Sequence, residues 1–152
     1  MQPAPIDAEL FKGLKVFVVE DESLVAMQLE DMLLDFGCDI VGMAMRVKRA
    51  IEMLDGADTV DMAILDVNIG GDKVYPVAEW LRERKVPIVF ATGYGRAGVD
   101  AEWQDCEILQ KPYTAAEVGA MISAAETRAS SSITPAKVAI SESRNSPVLN
   151  SQ

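Results

Sequence analysis

Uninterrupted apolar runs alternate along this chain with stretches in which apolar residues recur every third or fourth position. The first run, "LKVFVV" at 14–19, gives way to Val25, Leu29, Met32 and Phe36, which share one face of a helix that Gly37 would stop. "DIVGMA" (39–44) is a second strand, and Val47, Ala50, Ile51 and Leu54 mark the amphipathic helix after it. "MAILDV" (62–67) is apolar on both faces as far as Asp66, and its helix carries Pro76 near the start with Val74, Val77, Ala78 and Leu81 on one side. "VPIVFAT" (86–92) follows, with Pro87 where a missing donor does least harm, and then "CEIL" (106–109). The last helix opens on "TAAE", a capping box from Thr114 to Glu117, and continues through Val118, Met121, Ile122 and Ala125. Between the fourth and fifth strands, 97–104 gives the weakest helical pattern of the five.

Strands without alternation are strands covered on both faces. Alternating with helices, they predict an α/β fold: a doubly wound, five-stranded parallel sheet of order 2-1-3-4-5 in a flavodoxin-like three-layer sandwich. The pattern predicts an amino-terminal extension over 1–13, a domain over 14–126, and a Ser-rich disordered tail over 127–152 with no second domain behind it.

Composition narrows the chemistry. A formal net charge of −10 over 152 residues disfavours a nucleic-acid partner, which needs clustered Lys and Arg. Cys38 and Cys106 form no CxxC and indicate neither zinc nor a disulfide framework, which suits a reducing cytoplasm. No apolar segment is long enough to span a membrane, and "MQPAPIDAELFKG" lacks the apolar core of an export signal. The chain contains no histidine, so Ser-His-Asp or Cys-His nucleophiles and the common histidine-ligated zinc sites are excluded. Carboxylates, hydroxyls and lysine remain.

Parallel α/β sheets use the carboxyl ends of their strands, and four polar sites fall there: Glu20-Asp21, Asp66, Thr92 and Lys111. If the first and third strands are neighbours, three carboxylates converge and repel one another unless a cation holds them ionised. A small hard cation with oxygen ligands, Mg²⁺ being the most available, is the natural occupant. Beside it Asp66 can attack phosphorus, while Lys111 and Thr92 each hold a phosphoryl oxygen. Each residue also has a commonplace reading: Asp21 as a helix cap, Asp66 as a turn residue, Thr92 as a strand end, Lys111 as a solvated charge. Together they lie on the one edge where the fold can use them.

"VVED" (18–21), "AILDVN" (63–68), "FATG" (90–93) and "LQKPY" (109–113) resemble the receiver domain of bacterial two-component response regulators over residues 14–126. The resemblance implies that Asp66 accepts a phosphoryl group from a kinase phosphohistidine. It further implies that Asp21, Asp66 and the backbone carbonyl of Asn68 ligate Mg²⁺, that Glu20 acts mainly through a bound water, and that Lys111-Pro112 is cis. Receivers commonly carry a switching aromatic three residues before the lysine, where this chain has Ile108. Instead Tyr94 stands in "PIVFATGYG" (87–95), similar to single-domain receivers with a Phe-Ala-Thr-Gly-Tyr motif, associated with general-stress phosphorelays and kinases of the HWE and related families. Tyr94 either supplies the switch or merely covers loop backbone. Partners implied are a sensor histidine kinase or histidine phosphotransfer protein, and a downstream protein.

Two rival functions use the same fold. A haloacid-dehalogenase-like phosphatase would need an Asp two residues after its nucleophile, where Asn68 stands; a flavodoxin-like FMN carrier would need a phosphate-cradling loop where "EDES" stands. "GYGRAG" (93–98) satisfies the dinucleotide pattern G-x-G-x-x-G but follows the fourth strand and has no acidic partner for a ribose. Its glycines, and those of "NIGGD" (68–72), read instead as keeping two loops mobile.

Overall fold

The computed structural model describes residues 10–132. Five strands, β1 (Lys15–Val19), β2 (Asp39–Ala44), β3 (Met62–Asp66), β4 (Ile88–Thr92) and β5 (Glu107–Gln110), pair in parallel in the order β2-β1-β3-β4-β5. All five residues of β3 and of β4 are buried, as central strands with both faces covered must be. Alternate residues of one strand enter different cores. Phe17, Val19 and Leu65 pack with α2 (Val47–Asp55) and α3 (Tyr75–Glu83), whereas Val16, Val18 and Ile64 pack with α1 (Ser23–Asp35) and α4 (Ala115–Ser132).

Local signals explain the helix ends. The capping box is closed: the Thr114 N–H donates to Glu117 Oε1 at 2.8 Å and the Glu117 N–H to Thr114 Oγ1 at 3.2 Å. At the end of α3, Val86 N–H bonds Leu81 O and Lys85 N–H bonds Arg82 O, a Schellman motif that puts Lys85 at φ 61° where glycine is usual.

Three expectations are corrected. No α-helix forms between β4 and β5. Two 3₁₀ turns, Gly95–Gly98 and Ala101–Trp103, take its place, because three glycines and only two buried anchors, Val99 and Trp103, leave a helix no continuous face. Trp103 stacks on Tyr75 at 5.9 Å and meets Phe90 edge-on, and the Asp100 N–H donates to Tyr75 Oη at 2.9 Å, so side chains pin the connection. Second, "NIGGD" is a hairpin in which Asn68–Ile69 pairs with Asp72–Lys73, with Gly70 and Gly71 at φ 57° and 90° in the turn. Third, helical structure runs past residue 126 to Ser132; residues 133–152, most of the expected tail, lie outside the described residues, as do 1–9. Among the described residues no helix is long and apolar enough to cross a membrane.

Candidate functional site

Strand register builds the site. Val19 pairs with Leu65, and Asp66 with Ala91, so Glu20, Asp66 and Thr92 emerge side by side at the carboxyl edge of the sheet. Glu20 prolongs β1, its N–H donating to Ala44 O at 3.0 Å. The Lys111 N–H donates to Thr92 O at 2.9 Å, which brings that lysine onto the same edge, and the Lys111-Pro112 bond is cis.

The four charged residues meet. Lys111 Nζ lies 2.9 Å from Glu20 Oε1 and 3.0 Å from Asp66 Oδ2, with the exposed Glu22 at 3.7 Å. Asp66 Oδ1 accepts the Asn68 N–H at 3.3 Å, and Glu20 Oε2 accepts the Glu22 N–H at 3.1 Å. Asp21 Oδ2 accepts the Gly70 N–H at 2.8 Å, tying the end of β1 to the hairpin tip. One carboxylate oxygen each from Glu20, Asp21 and Asp66 lies within 4.8 Å of the others.

Charge balance is uneven. Burial pushes Glu20 up to about 7 from an ordinary 4.5, helped by the Asp66 charge and only partly opposed by Lys111. Burial alone would lower Lys111, but its hydrogen bonds to Glu20 and Asp66 outweigh that and raise it. The lysine is held charged, yet one ammonium does not offset three carboxylates. A set of hard oxygen donors short of positive charge fits a divalent cation.

A family model described as the response regulator receiver domain matches residues 16–123. This chain belongs to that family. It is 26% identical over 114 residues to the phyllosphere-induced regulator PhyR of Methylorubrum extorquens, a match covering 73% of this chain and 43% of that protein. The chain spans 43% to 61% of the length of the curated relatives it matches. The solution structure of SdrG from Sphingomonas melonis Fr1 aligns with a TM-score of 0.68 at 41% identity, covering 75% of this chain and 97% of SdrG. The BeF3-activated conformation of SdrG from Pseudomonas melonis Fr1 aligns at 0.63 and 43% identity, with the same coverage.

The other residues singled out in the sequence, Thr92, Tyr94 and Ile108, join the charged cluster through no side-chain hydrogen bond among the described residues. The Thr92 side chain is buried, and its Oγ1 accepts the Tyr94 N–H at 3.1 Å. The Tyr94 side chain is 75% exposed. Ile108 is half-buried against the core that holds Phe90 and Trp103. Sequence reasoning passed over three neighbours of the cluster. Gly70 donates to Asp21 through a backbone amide that no side-chain pattern reveals. The Arg46 guanidinium lies where a Cβ on Gly70 would come within 3.1 Å of it. Tyr113 buries its hydroxyl with no hydrogen-bond partner among the described residues, and burial, with the Glu20 charge, pushes it up to about 12.

Proposed function

We propose that this receiver domain is a phosphoacceptor of a two-component phosphorelay, taking a phosphoryl group onto Asp66 from a partner's phosphohistidine and switching a protein–protein interface. The observation that carries this is Lys111 Nζ bridging Glu20 and Asp66 at 2.9 and 3.0 Å, inside a triad of carboxylates whose oxygens lie within 4.8 Å. Glu20, Asp21, Asp66 and the Asn68 carbonyl would hold Mg²⁺, with Glu20 acting mainly through a water. Bound there, the ion supplies positive charge against the phosphoryl oxygens.

The chain's own residues do the rest. An Asp66 carboxylate oxygen forms the new O–P bond while the P–N bond of the phosphohistidine breaks and its electron pair returns to the imidazole. No general base is required, because the nucleophile is already an anion. Lys111 exchanges a carboxylate contact for a phosphoryl oxygen, and the Thr92 hydroxyl donates to another. Asn68 stands where a phosphatase of this fold would carry, two residues after its nucleophile, the acid that protonates a leaving alkoxide, and its Oδ1 is occupied by Lys73 Nζ at 2.7 Å. The chain therefore catalyses only its own phosphorylation and dephosphorylation.

Tyr94 carries the output. Its exposed ring, between Gly93 and Gly95 and hydrogen-bonded through its N–H to Thr92 Oγ1, suits it to report movement of Thr92, a role that a half-buried Ile108 cannot take by ring rotation. The donor is a sensor histidine kinase, of the HWE type, or a histidine phosphotransfer protein of a general-stress relay, in the cytoplasm. Incubation with a panel of such kinases and labelled ATP tests this. Label should pass to the wild-type chain and not to Asp66→Ala; label on Asp66→Ala at equal stoichiometry would place the nucleophile elsewhere.

A further inference from the structure

The glycines of "GYGRAG" serve no nucleotide, yet the last of them is sterically required. A Cβ on Gly98 would lie 2.5 Å from Thr92 Oγ1 and 3.0 Å from Tyr94 Cβ, and the first distance is shorter than real carbon–oxygen contacts allow. Gly98 does not adopt a left-handed φ, so its backbone would accept any residue. The atom that a side chain would meet first is the Thr92 hydroxyl, with Tyr94 Cβ next to it.

That hydroxyl sits in a niche whose walls are backbone. One side is the Tyr94 N–H, which it accepts at 3.1 Å; the other is the bare Cα of Gly98. The segment behind the niche is braced against retreat. Gln104 Nε2 donates to the carbonyls of Arg96 and Val99 at 2.8 and 2.7 Å, and Arg96 donates back to Gln104 O at 2.9 Å. Trp103, buried in the core, anchors the far end.

We propose that Gly98 is a positioning residue for Thr92: its missing side chain makes the niche that holds the Thr92 hydroxyl on the Tyr94 amide, and this latch sets the resting state of the receiver. A phosphoryl group on Asp66 then competes with the latch. When the hydroxyl turns toward a phosphoryl oxygen, the Tyr94 N–H loses its acceptor, so the same bond that restrains Thr92 transmits its departure to Tyr94. A ligand shifts an equilibrium only through contacts that differ between its states, and this bond differs. The competition rests on the phosphoacceptor reading of Asp66; the niche does not.

Gly98→Ala tests it, because the new methyl evicts the hydroxyl from the resting position only. In the unphosphorylated variant, the Tyr94 amide resonance should move toward its position in beryllofluoride-treated wild-type protein. The beryllofluoride concentration giving half saturation should fall about fivefold, the weight of one ordinary hydrogen bond. Gly98→Ala should lower the melting temperature in the Thr92 background, and most of that loss should vanish in Thr92→Ala, where no oxygen meets the methyl. Should Gly98→Ala not fold alone, Thr92→Ala serves by itself: hydrogen exchange of the Tyr94 amide should accelerate ~10-fold once its acceptor is gone. Equal melting losses in both backgrounds, an unmoved Tyr94 resonance, or unchanged Tyr94 exchange in Thr92→Ala would each overturn the latch. A wild-type protein that ignores beryllofluoride while the melts remain coupled would instead overturn the phosphoacceptor reading and leave the niche standing.

Discussion

Replacing Lys111 by methionine keeps the length of the side chain and removes the charge that meets Glu20 and Asp66. In the metal-free wild-type protein, Glu20 titrates near 7 when folded and near 4.5 when unfolded. Between those values the folded state binds more protons than the unfolded one, so this acid's contribution to stability is lost as pH rises and the loss is complete above pH 7. At about 1.4 kcal/mol per pKa unit, ionised Glu20 costs on the order of 3 kcal/mol. In Lys111→Met the carboxyl loses its hydrogen bond and counter-charge, and Glu20 keeps its proton to higher pH. The gap between wild type and variant should therefore widen by about 1.4 kcal/mol per unit above roughly pH 7. Asp66 loses the same 3.0 Å partner, which adds roughly 1.5–3 kcal/mol, the range for a hydrogen bond to a charged group. Urea titrations in chelator should thus show a gap of on the order of 3–4 kcal/mol near pH 8, and only the Asp66 share near pH 6. Adding Mg²⁺ should narrow it. A gap of constant size from about pH 6 to about pH 8.5, or none, would refute the account of Lys111 as the counter-charge for a buried Glu20.

Three further outcomes are expected. Mg²⁺ at about a hundred times its dissociation constant should stabilise the protein by roughly 2.7 kcal/mol, and thermal melts of Asp21→Ala should show most of that response gone. Trp103→Ala empties the anchor of the β4–β5 connection and should cost about 3–5 kcal/mol in a denaturant titration; a loss below about 1 kcal/mol would show that the connection is held some other way. Lys85→Gly relieves a left-handed backbone at φ 61° and should raise stability by up to about 1 kcal/mol, seen as a higher urea midpoint at unchanged slope.

The strands were legible because a sheet covered on both faces writes its strands as unbroken apolar runs, and strand ends in turn placed Glu20, Asp66, Thr92 and Lys111. What escaped was tertiary. The segment 95–103 holds its place through Trp103 on Tyr75, a contact between residues 28 positions apart that no local period encodes. Phe11, assigned to an extension, packs edge-on against Phe36 at 5.5 Å, and its N–H donates to Phe36 O. The end of the fourth apolar run put Thr92 on the same sheet edge as Asp66 with no sign that its hydroxyl faces Tyr94 and Gly98. The sequence put Lys111 at the site without showing that the lysine bridges two carboxylates, or that burial would lift Glu20 so far.

The central claim is that Asp66 is the residue phosphorylated, and the protein itself can show it without a partner. Acetyl phosphate with Mg²⁺, followed by borohydride reduction and peptide mapping, converts an acyl phosphate of aspartate to homoserine and marks the position. The account predicts homoserine at 66, dependent on Mg²⁺ and absent when chelator replaces the ion. Homoserine at Asp21 or elsewhere with Asp66 intact, or phosphorylation that proceeds equally in chelator, would contradict it.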